Sequence, residues 1–326
     1  VSRNRDVRLA GTGQALPEKV MLKLKRILLI APPEMNRSPA FERAQALARA
    51  TGALLHIVAF DYVQALAVAG LFDPNAMAQA REGYLQVHRQ WLEQQARFQR
   101  SARLPVSTEV VWARTTPAHV LEYINDFHAD LVIKDMHYVP ALERAFHRPL
   151  DWVLLRDCPA HLHLVSENAN SMPAKILAAV DLSHLEELTQ GLNDRILDLA
   201  TTLADATGAT LHLLNVCNWS VLGDAAMSVP TLSLDHSLCE AITDTQQEAF
   251  DALAERYAIG KPCRHQLTGI PHKVIELFAR QNAFDMLVLG SAYHRDVDGS
   301  VGSTVETLTN RAPCSLMIVK PTSGFD

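Results

Sequence analysis

The sequence predicts an α/β chain built twice, with strands and helices alternating around a parallel sheet in each of two tandem copies. Three observations predict it. The chain has 326 residues, 48% of them hydrophobic, a length better divided into two domains of about 150 residues than held in one core. Its strand-like runs are short and apolar on both faces, as a parallel sheet covered by helices on both sides requires. The same succession of segments then recurs, with Thr51-Gly52 matched by Thr207-Gly208 at 207 − 51 = 156 residues.

Each copy opens on a buried strand running into a turn, KRILLIAPP (Lys25 to Pro33) and AKILAAVDLSH (Ala174 to His184). A helix pattern follows, closed by Thr-Gly, where glycine takes the positive φ of a helix C-terminus without a Cβ penalty. The second strands are GALLHIVAF and GATLHLLNV. Long polar helices are expected near Asn75 to Ala102 and Leu238 to Tyr257. The segments before them, 61–74 and 218–235, are expected to be covers or plain connections. Pro117 and Pro271, 271 − 117 = 154 apart, suit the first turn of a helix, where the missing N–H costs nothing. Val120, Leu121 and Ile124, and Val274, Ile275 and Phe278, supply the inward stripes. Asp130 and Asp285 precede the fourth strands, and CPAHLHLV (Cys158 to Val165) matches APCSLMIV (Ala312 to Val319) as the last strand of each copy. The expected division is a first domain over 21–165, a linker over 166–174 and a second domain over 175–321.

Composition narrows the function. The formal charge is −6 with no basic excess, so a nucleic-acid backbone is not the expected partner. No apolar run approaches the ~18 residues of a membrane span. Residues 1–20 are polar and lack an apolar core, so they are expected to be a disordered tail or extension rather than a signal peptide. The five cysteines form no CxxC pair, which fits a reduced, cytoplasmic chain.

With these repeats in place, the chain resembles the universal stress protein family, in particular its tandem two-domain (UspE-like) members. The resemblance runs from Met21 onward and is strongest at Ile176 to Ser183, at Gly269 and Pro271, and from Asn282 to Val319. It implies a five-stranded parallel sheet of order 3-2-1-4-5 in each copy, sandwiched by helices, with the two copies packed as an internal pseudo-dimer. The final strands, Leu162 to Val165 and Leu316 to Val319, are the natural pairing edges, because unpaired apolar edges invite association.

ATP-binding members of the family use an aspartate after strand one, against the adenine side, and a phosphate loop G-x2-G-x9-G-[S/T] after strand four. The second copy has the aspartate as Asp181 and the first glycine as Gly290. The second glycine position, 290 + 3 = 293, holds Tyr293, and Gly302-Ser303 comes one residue early. Gly299, Gly302, Ser303 and Thr304 still offer N–H groups and hydroxyls at a helix start, while Asp296 and Asp298 oppose an anion. The candidate cofactor-binding set is therefore Asp181, Gly290, Gly299, Gly302, Ser303 and Thr304. Capping is the plain alternative for Asp181 and for the Gly-Ser run. The first copy departs further, with Ala31-Pro32-Pro33 where the aspartate would stand. There Lys134 is read at the first glycine position and His137 at the second, and no Gly-Ser follows.

No catalytic constellation emerges. A nucleophile elbow, a Walker-type loop and a dinucleotide GxGxxG are all missing, and no metal site is expected. His161 and His163 share one face of a strand and would pair on a metal only with a third ligand from another element; facing the interface between the copies or solvent is the plain alternative. His56 and His212 hold matching positions, read as packing or backbone hydrogen bonding. The expectation is a cytoplasmic stress-response protein acting by ligand binding or protein interaction, without turnover. It carries no cofactor, or ATP weakly bound in the second domain. An ATP/AMP-binding switch and an apolar-ligand carrier are the alternatives. A protein or small-molecule partner is expected, nucleic acid and membrane are not, and a homodimer is allowed.

Overall fold

The computed structural model describes residues 22–32, 34–61, 74–100, 104–112, 116–137, 149–183, 191–218, 236–291 and 303–321. The proposed tail, 62–73 and 219–235 of the cover segments, and most of the loop after the second copy's fourth strand lie outside them.

The first half runs β1 (Arg26–Ile30), α1 (Pro39–Thr51), β2 (Leu54–Asp61), α2 (Pro74–Arg100), β3 (Val106–Trp112), α3 (Pro117–Phe127), β4 (Leu131–Asp135), α4 (Leu150–Asp157) and β5 (His161–Val165). The second half repeats it as β6 (Lys175–Val180), α5 (Leu192–Thr207), β7 (Thr210–Cys217), α6 (His236–Arg256), β8 (Arg264–Thr268), α7 (Pro271–Gln281), β9 (Met286–Gly290), α8 (Ser303–Asn310) and β10 (Ser315–Val319). The local signals act as expected. Gly52 and Gly208 close α1 and α5 at φ 73 and 71, and Pro117 opens α3 behind a Thr116 cap.

All ten strands form one sheet, in the order β3-β2-β1-β4-β5-β10-β9-β6-β7-β8. Each half is parallel and reads 3-2-1-4-5 from its outer edge, and the halves join where β5 meets β10 antiparallel. The register places the symmetry. Leu316 pairs with Leu164, Met317 with His163 and Ile318 with Leu162. Since 317 − 163 = 154, the offset of the two helix-opening prolines, His163 faces its own counterpart and the pseudo-twofold axis passes between them.

Two apolar layers run the length of this sheet. One packs α1, α2, α5 and α6 against it, and the other packs α3, α4, α7 and α8. Both layers contain residues of both halves, so the halves share their cores and do not merely touch. The strand starts use one device twice. The Asp130 carboxylate accepts the N–H groups of Lys25 and Arg26 at 2.7 and 2.8 Å, and that of Asp285 accepts those of Ala174 and Lys175 at 3.0 and 2.9 Å.

Among the described residues Lys320 and Arg43 are charged groups buried at the seam, Lys320 donating to the Leu154 and Leu155 carbonyls. Arg43 of α1 is fully buried and has no carboxylate among its hydrogen-bond partners. Its Nε and Nη2 donate to the Asn170 carbonyl of the linker at 3.0 and 2.7 Å, and its Nη1 donates to His163 Nε2 at 3.3 Å. Because arginine only donates, Nε2 must be the acceptor, leaving Nδ1–H to donate to the Leu316 carbonyl at 2.9 Å. Burial, and then the neighbouring Arg43 charge, depress the His163 pKa to about 3. Burial lowers that of Arg43 to about 10. The interface reading of His163 holds, with the tautomer now fixed by its partners.

Candidate functional site

In open parallel sheets ligands bind beyond the carboxyl ends of the strands, where the strand order reverses. Here that point lies between strands one and four of each half, β1 and β4 or β6 and β9.

In the second half, Asp181 follows β6 and Gly290 ends the adjacent β9. The Asp181 Oδ1 accepts the N–H of Ser183 at 2.8 Å and its hydroxyl at 2.5 Å, closing a short turn. The Asp181 peptide is held on both sides by Asn193. Its N–H donates to Asn193 Oδ1 at 3.2 Å, and its carbonyl accepts from Asn193 Nδ2 at 2.7 Å. Asn193 is buried, and nothing in the sequence pattern singled it out.

The source of this clamp is an extra turn of helix. Aligned on Thr51 and Thr207, Pro39 of α1 corresponds to position 39 + 156 = 195, whereas α5 already begins at Leu192. The added residues include Leu192 and Asn193. Leu192 roofs Gly290: a Cβ there would stand 2.8 Å from Leu192 Cδ2 and 2.9 Å from its Cγ. A side chain at 290 would therefore have to displace Leu192, whether or not a phosphate approaches. Ser303 opens α8 and Thr304 is partly exposed in its first turn. Gly299 and Gly302 lie outside the described residues, as do Tyr293, Asp296 and Asp298.

The first half is built otherwise at each of these positions. The shared aspartate caps align Arg26 with Lys175, so Pro32 occupies the place of Asp181 (32 + 149 = 181). The strand pairing corrects the reading of Lys134. Asp135 lies opposite Val165 as Gly290 lies opposite Val319, so Asp135, not Lys134, holds the first glycine position. Its Oδ1 accepts the Ala40 N–H at the start of α1, at 3.0 Å. The sequence count slipped by one residue because the two copies do not keep one constant offset.

Lys134 instead points into the other layer. It and Asp151 are both buried and form an ion pair. The counterparts of Lys134 and Asp151 are Leu289 (134 + 155) and Val305 (151 + 154), both buried apolar residues. The pair therefore replaces an apolar contact. It also ties down the start of the loop, since Lys134 Nζ donates to the Asp135 carbonyl at 2.5 Å and Asp151 Oδ2 accepts the His137 N–H at 3.0 Å.

The matched histidines also part ways, and both use side-chain partners. His56 bonds Ser107 and Tyr123. His212 Nδ1 lies 2.9 Å from His265 Nε2, with burial lowering the His212 pKa to about 4. A third cluster ends β2, where Asp61 accepts the Tyr84 hydroxyl at 3.0 Å and contacts His88. Among the described residues no group of three or more His, Cys, Asp or Glu side chains could hold a metal ion. Burial raises the Cys158 and Cys314 thiols to about 11 and 12, which keeps them protonated and inert at neutral pH. Among the described residues no helix is long and apolar enough to cross a membrane.

Comparison with known proteins agrees with the doubled architecture. The sequence model of the Universal stress protein family matches residues 23–166 and again 172–320. Universal stress protein E of Escherichia coli K12 is 28% identical over 309 residues, covering 92% of this chain and 95% of that protein. Its counterpart in Photorhabdus laumondii is 23% identical, covering 94% and 98%. Among solved structures, a functionally unknown protein from Pseudomonas aeruginosa PAO1 superposes with a TM-score of 0.69 at 22% identity, over 91% of this chain and 93% of that one. A universal stress protein from Archaeoglobus fulgidus gives 0.60 at 16%, over 92% and 97%.

Proposed function

The chain belongs to the universal stress protein family as a tandem, UspE-like member with a role in stress response, and we propose that it works by occupancy rather than turnover. In this reading a weak adenine-nucleotide site is confined to the second half, and the first half is a fixed scaffold.

The observation that carries this is the asymmetry of the strand ends. The second half presents Asp181, with its peptide held by Asn193, at the end of β6 beside β9, which ends on a glycine, and α8 opens at Ser303 further along the chain. Anions are favoured at such a helix start by its unpaired N–H groups and dipole. The first half presents Pro32 and the Asp135 carboxylate at the matching places. Proline offers no N–H or side-chain acceptor to a base, and a fixed carboxylate repels phosphate. Affinity in the second half should be low, because Asp181 already gives one oxygen to Ser183 and Tyr293 replaces the glycine that would let backbone approach phosphate closely.

Calorimetric titration of the full chain with ATP tests this. The expected result is a single weak site per chain that is lost in Asp181→Ala. No binding at millimolar ATP, or binding indifferent to Asp181, overturns the nucleotide reading.

A further inference from the structure

At the opposite end of the first half's strands lies a chain of four polar side chains whose hydrogen-bond directions are fixed by their chemistry. Tyr123 of α3 gives its hydroxyl proton to Glu109 Oε2 at 2.6 Å, since an ionised carboxylate can only accept. The Tyr123 oxygen, its one proton committed, accepts from His56 Nε2–H at 2.7 Å. A neutral imidazole protonated at Nε2 exposes a lone pair at Nδ1, and Ser107 Oγ lies 2.7 Å from that nitrogen. The serine proton therefore points at a base. Burial holds the His56 pKa below its ordinary value, keeping the ring neutral and able to accept.

We propose that Ser107 is a site of covalent modification by activated acyl groups, with His56 as its base and Tyr123 and Glu109 as positioning residues. The arrangement has the requirements of an activated hydroxyl: a nucleophile within hydrogen-bond reach of a base that a further group orients. Ser107 is partly exposed on β3, an outermost strand of the sheet, whereas His56 is buried and stacked on Phe127. In the step, a bond forms between Ser107 Oγ and the acyl carbon. The bond from that carbon to its leaving oxygen or sulfur breaks, and the electron pair departs with the leaving group. The serine proton passes to His56 Nδ1 and from there to water.

The second half shows that this chain is not a by-product of the fold. Aligning β2 with β7 places Cys263 at the Ser107 position and His265 at that of Glu109 (107 and 109 + 156), while Phe278, which has no hydroxyl, stands for Tyr123 (123 + 155, the offset at which buried Val120 and Ile124 match Ile275 and Ala279). There the matching His212 contacts His265, and among the described residues no carboxylate terminates the series.

The experiment is acetylation of the full chain by p-nitrophenyl acetate, followed by peptide mass spectrometry, in which p-nitrophenolate is the leaving group. Ser107 is expected to be acetylated about a hundredfold or more faster than in H56Q, the usual contribution of a positioned base. S107A should lose the modified peptide. Glu109 is exposed, so E109Q is expected to fold; it should slow labelling. In both E109Q and Y123F the pH profile should move, because the groups facing His56 are Glu109 and Tyr123 on one side and Arg26 on the other. A purely structural network would leave that profile in place. Ser107 unmodified in the wild-type chain, or modified at the same rate in H56Q and E109Q, overturns the proposal.

Discussion

The two halves of this molecule share strand order, the Thr-Gly helix ends and aspartate strand-capping, yet they diverge wherever a side chain could do chemistry. At the carboxyl ends of the strands the second half keeps Asp181 and Gly290 where the first has Pro32 and Asp135. Between the end of β4 and α4 the first half holds an ion pair, Lys134–Asp151, where the second holds Leu289 and Val305. At the far ends the first half has the Ser107–His56–Tyr123–Glu109 chain where the second has stacked imidazoles. Duplication preserved the packing frame and released the sites, as expected when each site hangs on a few residues and the frame on two shared cores.

The largest expected effect tests the buried pair. Asp151→Ala leaves the Lys134 ammonium buried without its carboxylate and is expected to cost about 3–5 kcal/mol in urea unfolding. The double change K134L/D151V copies the second half and should be neutral or stabilising by about 1–4 kcal/mol. A double variant as damaged as the single would show that the halves are not interchangeable at this contact.

Next in size is the pH dependence of the seam. The folded-state pKa of His163 is depressed to about 3, below its unfolded value of about 6.5. Its contribution is fully present above pH 6.5 and is lost as pH falls toward 3, because only the unfolded chain takes up the proton across that window. His163→Met, which copies its partner Met317, should remove a few kcal/mol of acid sensitivity. Stability curves at pH 7 and 4.5 read this, and an unchanged difference between them would contradict it.

A smaller effect is expected at Gly290. Gly290→Ala drives a Cβ against Leu192 and should cost about 1–3 kcal/mol through overpacking. Combined with Leu192→Ala the cost should shrink, whereas strict additivity would mean the two side chains do not meet.

Much of the fold was legible because its signals are local or periodic. Thr-Gly ends, prolines at helix starts and doubly apolar strands repeat in order, and the apolar final strands of each half pointed to β5 meeting β10. The site was less legible. Asp181 and Gly290 could be named from spacing, but the packing reason for Gly290 lies in Leu192, which is distant in sequence. Asn193 went unnoticed because its value comes from a helix starting one turn early, which no periodicity marks. Lys134 was set at the wrong position because the repeat offset drifts between 149 and 156 along the chain, and only strand pairing resolves that drift. The Ser107 chain draws on β2, β3 and α3, so no linear motif could reveal it.

The proposed ligand site belongs to the second half alone. ATP titration of the wild-type chain, Asp181→Ala and K134L/D151V measures it most directly through the number of sites. The expected outcome is one weak site in the wild type, none in Asp181→Ala and one in the double variant. Two sites per chain, or one that survives Asp181→Ala, would contradict it.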